Sequence, residues 1–342
     1  MDRAAIQIRI RPRGMWQPVP CELPIHPERQ ATPPVVVISG PTGVGKTRLA
    51  LLLASLIPAE IVSADSMQVY RGMDIGTAKA TLAERQAVRH HLIDIRDVKD
   101  RFSVYEFFHE ATQACEEIHR RGKIPIVCGG AGFYLHALLY GPPAGPSPDP
   151  DLRRALESEI ELLGPDVLYQ KLAEADPVYA ATITPNDRHK VVRGLEIIHL
   201  TGRRVSDFSW QERAERPQMQ FLCWFLHMPR ETLYPLLDQR CDRMIAEGLI
   251  EEVSRLDRQG LRSNHSAAQA IGYRHTLEFL DSPGSPGDFE EYVQRLRRDT
   301  HRYAKRQFTW FRKEPLFRWI NVTDADYELL ADQMAQEVMR HL

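Results

Sequence analysis

The sequence predicts an α/β protein: a P-loop-type parallel sheet with helices on both faces, plus a helical insertion domain. Three observations predict it. From Val35 to Leu139 short apolar runs alternate with helix-like stretches at the spacing of βαβ units. The first strand-to-helix junction reads Gly40-Pro41-Thr42-Gly43-Val44-Gly45-Lys46-Thr47, which is G-x-x-x-x-G-K-[ST] in its proper context. After Gly141-Pro142-Pro143-Ala144-Gly145-Pro146-Ser147-Pro148 the alternation gives way to helices alone, and an apolar strand pattern resumes only at Gln218–Met228.

Taken in order, Val35-Val36-Val37-Ile38 is the first strand, an unbroken apolar run suited to a sheet covered on both faces. Arg48–Ala54 continues as a helix, which Pro58 ends. Glu60–Ser63 is the second strand. It leads into Ala64–Tyr70 and Gly72–Thr77, a stretch too long for a plain connection. His90–Ile95 reads as a third strand. Ser103 with Glu106 three residues later forms a capping box for a helix running to about Arg121, where Gly122 stops it. Lys123–Cys128 is a fourth strand, closed by Gly129-Gly130-Ala131-Gly132 and the helical Phe133–Leu139. Parallel sheets of this kind collect ligands outside the strands' carboxyl ends, where the glycine loop, Asp65 and Gly129–Gly132 all fall.

The insertion, 145–215, reads as helices over about 151–163, 166–175 and 187–200. The core, 33–144 and 216–342, resumes with the strand at 218–228 and helices over 231–247, 249–259, 266–280 and 288–313. A strand near Phe317–Asn321 and a polar-faced helix finish the chain. Residues 1–32 carry Arg3, Arg9, Arg11 and Arg13, then Pro18, Pro20, Pro24 and Pro27, without an amphipathic period; they read as a disordered N-terminal extension.

A net charge of −2 over 342 residues, 26% of them charged, excludes a globally basic nucleic-acid binder, so such a partner must be met by a local patch. No apolar run approaches a membrane span. The five cysteines show no metal-type spacing, and three lie in apolar stretches where a free thiol acts as a small core residue. A reducing cytoplasm is the simplest reading of these thiols, and a monomer is the expectation.

The chemistry begins at the glycine loop. Its backbone N–H groups converge on an anion and the following helix adds its positive end. Lys46 then meets the outer phosphate, and the Thr47 hydroxyl holds Mg²⁺. Asp65, one loop away, is either a general base or a loop aspartate bonding its own backbone; the sequence leaves both open. No acidic residue ends the strand at 124–128, and Asp94 is a weak substitute, which argues against an ATPase motor. His90 and His91 point to opposite faces of a strand and cannot chelate together; one buried and one exposed is the expectation. From Tyr292 to Lys313 there are eight Lys/Arg against one acid, with Tyr303, Phe308, Trp310 and Phe311 interleaved. Phosphates want those charges and unstacked bases want those rings. Asn186–Arg193 adds a smaller basic cluster.

These segments together resemble the tRNA dimethylallyltransferases, which prenylate adenosine 37 beside the anticodon. The matching stretches are Gly40–Thr47, Ser63–Lys79, His90–Asp94, Gly132-Phe133-Tyr134 with Ala137–Leu139, and Pro185-Asn186-Asp187 with Arg193. Thr201-Gly202, Ala270–Arg274 and Tyr303–Arg312 extend the match over about 35–315. The resemblance implies that Gly40, Pro41, Thr42, Gly43, Val44, Gly45, Lys46 and Thr47 hold the diphosphate of dimethylallyl diphosphate with Mg²⁺. It implies Asp65 as general base, Arg240 near the diphosphate, and Ser66, Met67 and Gln68 around a flipped base. Tyr273 and Arg274 with Gln269, Ala270, Ile271 and Gly272 fall on tRNA-contacting positions. So do Ala131, Arg153, His189, Lys190, Val191, Val192 and Arg193, and Arg298, Arg302, Lys305 and Arg306 on the basic helix. The implied partners are the tRNA anticodon stem-loop and dimethylallyl diphosphate.

Two departures stand out. The family's Gly-Gly-Thr-Gly reads Gly129-Gly130-Ala131-Gly132, and a second family arginine one turn before Arg240 is Leu236. The alternatives are an enzyme that prenylates free adenine nucleotides, a P-loop kinase, and a non-catalytic tRNA-binding protein. The first would need neither the insertion nor the basic-aromatic helix.

Overall fold

Val35, Val36, Val37 and Ile38 are all fully buried, which a strand achieves only when both faces of its sheet are covered. The computed structural model describes residues 33–142, 145–146, 148–208, 219–282 and 286–342. The extension 1–32, with Cys21, lies outside the described residues.

The first half runs β1 (Val35–Ser39), α1 (Lys46–Leu56), β2 (Ala59–Ser63), α2 (Leu82–Ala87), β3 (His90–His91), α3 (Val104–Arg120), β4 (Ile124–Cys128) and α4 (Gly132–Tyr140). The insertion follows as α5 (Pro150–Leu163), α6 (Pro165–Ala175), α7 (Pro177–Ala180) and α8 (Arg188–Thr201). The chain returns through β5 (Phe221–His227), α9 (Arg230–Ala246), α10 (Leu249–Arg258), α11 (His265–Ala268), α12 (Tyr273–Leu280) and α13 (Pro286–Phe311). It ends with β6 (Phe317–Asn321) and α14 (Tyr327–Met339).

The six strands form one sheet in the order β3-β2-β4-β1-β5-β6, every pair parallel. Alternation along β1 sorts its side chains to two cores. Val36 and Ile38 pack with Leu49 and Leu53 of α1 and Met334 of α14, while Val35 and Val37 pack with Phe107 of α3 and Leu135 of α4. Because β2, β4 and β1 are neighbours, the loops that leave their carboxyl ends stand side by side. Gly129 N–H donates to Ile38 O at 3.2 Å, and Ala131 N–H to Ala64 O at 3.3 Å.

The insertion has its own small core of Ile160, Leu168, Leu172, Ile183, Val191 and Val192. A third cluster joins Val69, Tyr70 and Met73 to Leu249, Val253, Tyr273 and Leu296, so the long loop after β2 rests on the C-terminal helices.

Several local expectations need correction. The strand expected over 90–95 stops at His91, because Leu92 and Asp94 take left-handed backbone (φ 60° and 56°) and the Asp94 carboxylate turns to Lys79 and Arg85, each at 2.6 Å. The two histidines do not split into buried and exposed. Both are partly buried and bonded, His90 Nδ1 to Val88 O and His91 Nε2 to Glu60 Oε2, each at 2.7 Å. The helix expected over 266–280 breaks at Gly272, whose φ of 92° no helix accommodates. Helix α2, missed in the sequence, is opened by a Thr81–Glu84 capping box.

Candidate active site

The cradle follows from β1 ending at Ser39 and α1 starting at Lys46, so that its loop curls over the helix N-terminus. Gly45 has φ 90°, and a Cβ there would lie 2.5 Å from the Tyr327 hydroxyl, so only glycine fits. Lys46 Nζ donates to Gly40 O at 3.0 Å and Pro41 O at 2.8 Å. Burial lowers its pKa to about 8; Cys128 and Asp65 oppose that shift and Arg240 adds to it. Burial likewise lowers Arg240, with Asp65 opposing, and pushes the Cys128 thiol up to about 11 against the pull of Lys46. Lys46 and Arg240 are both half-buried, and neither forms an ion pair with a described carboxylate. Two desolvated cations beside a helix N-terminus describe a place for an anion.

Asp65 lies at the rim, at the end of β2. Its Oδ1 accepts from Met67 N–H at 2.8 Å and Gln68 N–H at 3.4 Å, while Oδ2 has no described partner. The geometry shows the backbone-bonding role and does not decide the other: one oxygen builds the turn and the second has no described partner. Gln68 is held by Ser63 Oγ at 3.0 Å. The loop beyond is fixed from α10, where the buried Glu252 carboxylate accepts from Asp74, Ile75 and Gly76 N–H at 3.1, 2.8 and 3.1 Å. The Tyr273 hydroxyl donates to the same carboxylate at 2.7 Å.

Ala131 is the N-cap of α4 and supplies no side-chain cap bond. Thr47, in the first turn of α1, is exposed and its hydroxyl has no described partner. Among the described residues no group of three or more His, Cys, Asp or Glu could hold a metal.

The positions that the resemblance assigns to tRNA separate into two kinds. Val191, Val192 and Tyr273 are buried in the core, and Arg153 and Arg193 both bind the buried Glu196, at 3.0 and 2.5 Å. Arg193 also donates to Pro146 O at 2.6 Å, tying down the entry to the insertion. His189, Lys190, Gln269, Arg298, Arg302, Lys305 and Arg306 are exposed. The fold joins them: the His189 ring lies 5.3 Å from that of His265, and Asp299 binds both Arg274 at 2.9 Å and Arg302 at 3.0 Å. Burial pushes Asp299 up, but the His275 and Arg302 bonds outweigh it and hold the carboxyl low. The basic excess of α13 is partly balanced from outside, by Glu278 on Arg295 and Asp242 on Arg297, each at 2.5 Å. Lys305 has no acidic partner among the described residues, and Arg306 lies over the Tyr303 ring at 5.5 Å.

Three site residues escaped the sequence reading: Glu252, Tyr327, whose hydroxyl donates to Val44 O at 2.7 Å, and Gln307, which touches the P-loop. A polar side chain in the apolar stripe Ala304–Gln307–Phe311 was the available signal for the last; nothing in the sequence marks the other two.

Comparison with known proteins identifies the family. A family model described as IPP transferase matches residues 68–314. A tRNA dimethylallyltransferase of Protochlamydia amoebophila is 54% identical over 303 residues, covering 89% of this chain and 88% of its own. Among solved structures, the tRNA isopentenylpyrophosphate transferase of Bacillus halodurans is 39% identical with a TM-score of 0.66, over 90% of this chain and 96% of its own. A eukaryotic dimethylallyltransferase acting on tRNA is 31% identical with a TM-score of 0.73, over 88% of this chain and 77% of its own. The chain belongs to the IPP transferase family, among the tRNA dimethylallyltransferases.

Proposed function

We propose that this enzyme transfers a dimethylallyl group from dimethylallyl diphosphate to N6 of adenosine 37 in tRNA and releases diphosphate. The observation that carries the reading is the pair of half-buried cations, Lys46 and Arg240, unmatched by any described carboxylate within ion-pair distance and set beside the P-loop helix. An adenine exocyclic amine is a poor nucleophile because its lone pair is delocalised into the ring. The reaction therefore needs a strongly stabilised leaving group, and P-loop amides, Lys46 and Arg240 spread the charge that grows on the diphosphate. As the carbon–nitrogen bond forms and the carbon–oxygen bond breaks, the amine becomes acidic and Asp65 Oδ2 takes its proton.

The donor set suits Mg²⁺, which binds through few protein ligands and several phosphate and water oxygens. Thr47 would hold it, and the ion would supply further positive charge to the diphosphate. The target base has to leave the anticodon stack to reach Asp65. The exposed residues of α13, with His189, Lys190 and Gln269, offer a surface for the surrounding phosphates.

The test is purified protein with labelled dimethylallyl diphosphate and bulk tRNA from a strain lacking the modification. Label in adenosine 37 is the expected result. Label on free adenine nucleotide, phosphoryl transfer from ATP, or tRNA binding without turnover would each replace this reading.

A further inference from the structure

The inner face of α13 is apolar except at a few places. Leu296, Ala304 and Phe311 are fully buried along it, and Gln307 sits among them with 5% exposure. A carboxamide there costs free energy unless its polar atoms are bonded, whereas a leucine would fill the position without that cost. Both ends of the amide are used. Oε1 accepts from the Thr42 N–H at 2.9 Å, and Nε2 donates to Gly130 O at 3.0 Å. One partner is a donor and the other an acceptor, so the amide has a single satisfied orientation. The approach is close: a Cβ at Gly130 would lie 2.3 Å from Nε2.

Thr42 belongs to the P-loop, and Gly130 to the loop after β4. The peptide after Gly130 returns, through Ala131 N–H and Ala64 O at 3.3 Å, to the residue preceding Asp65. Neighbouring Lys305 and Arg306 stand on the exposed side of the same helix. We propose that Gln307 is a positioning residue: its carboxamide fixes the P-loop against the Gly130 loop in the register that receives the prenyl diphosphate. This rests on the reading that the P-loop holds a diphosphate. A loop fixed in advance spares the ligand the entropy of ordering it.

Two variants test this, with inorganic diphosphate as the binding probe and dimethylallyl diphosphate in turnover. Gln307→Leu keeps the volume and removes both bonds. Its Kd for diphosphate and KM for the prenyl donor should rise about tenfold, with kcat falling less and the affinity for an anticodon stem-loop unchanged. Gln307→Glu reproduces both bonds when protonated but sets a carboxylate against the Gly130 carbonyl when ionised. Its KM relative to the unaltered protein should approach one at low pH and climb as pH rises, and this profile decides the matter if Gln307→Leu does not fold. An unchanged KM in Gln307→Leu, or a flat pH profile in Gln307→Glu, overturns the proposal. Lys46→Ala separates the two layers. If it abolishes diphosphate binding while the Gln307 variants behave normally, only the positioning role falls; if it binds diphosphate as before, the cradle reading falls first.

Discussion

One oxygen of Asp65 holds the backbone of its own loop and the other is left over. That division explains why the sequence supported two readings: a carboxylate has two oxygens, and loop chemistry uses only one. It also selects the informative substitution. Asp65→Asn keeps an acceptor for Met67 and Gln68 N–H while removing the proposed base. Single-turnover rates should fall by about 10²–10⁴ with tRNA affinity kept within a few-fold, and near-normal turnover would remove Asp65 from the chemistry. Ala131 is the opposite case, a residue legible as a departure whose cost was not. It occupies the N-cap of α4 with extended backbone (φ −79°, ψ 91°) and no cap bond. A threonine there would accept from an N–H of the first turn, worth about 0.5–2 kcal/mol, and in the proposed reaction its own proton would remain to donate to the oxygen that leaves with the diphosphate. Ala131→Thr should therefore raise both the melting temperature and kcat. A stabilised variant with unchanged kcat would show that the site operates without that donor.

Helix α13 shows what a local reading of charge includes and omits. Its basic side chains were plain in the sequence, but Glu278 and Asp242, which bind Arg295 and Arg297, come from α12 and α9 and a window along one helix cannot see them. Arg298 and Arg302 share Asp299. Within α13, the charges left to meet phosphate without first giving up an acid among the described residues are Lys305 and Arg306. Removing both by alanine substitution should flatten the slope of log K against log salt for tRNA by about 0.7–0.9 per lost contact; a wild-type slope in filter-binding titrations would make this face a bystander. The same divide separates the elements themselves. Helix α3 and strand β4 carry their signals within their own residues and were legible. The end of β3 and the break at Gly272 were not, because Asp94 turns to Lys79 and Arg85, and Tyr273 to Glu252, through contacts distant in sequence.

At the scale of the molecule, stability and chemistry sit at opposite ends of the sheet. Glu60 is the second residue of β2, at the far end of the strand from Asp65, and its buried carboxylate binds His91, Arg121 and Lys123 at 2.7, 2.8 and 3.1 Å. Burial alone would raise it, yet these bonds bring it down to about 2 from 4.5. A folded pKa below the unfolded one gives stability that is fully present above about 4.5 and lost as pH falls through about 2. The shift corresponds to roughly 3 kcal/mol, so Glu60→Gln should lower urea midpoints at neutral pH and flatten their fall in acid, with KM untouched. An acid profile identical to wild type would place the acid-sensitive group elsewhere. The other end is completed late. Gln307 reaches back 265 residues to Thr42, and Tyr327 reaches back 283 residues to Val44. During synthesis the P-loop leaves the ribosome long before either, so a nascent chain carries the phosphate motif for most of its translation without the contacts that brace it. Ribosome-stalled chains that end before Tyr327 should capture immobilised diphosphate far more weakly than released protein. Equal capture would mean that the loop closes unaided, and that a half-made enzyme already competes for prenyl donor.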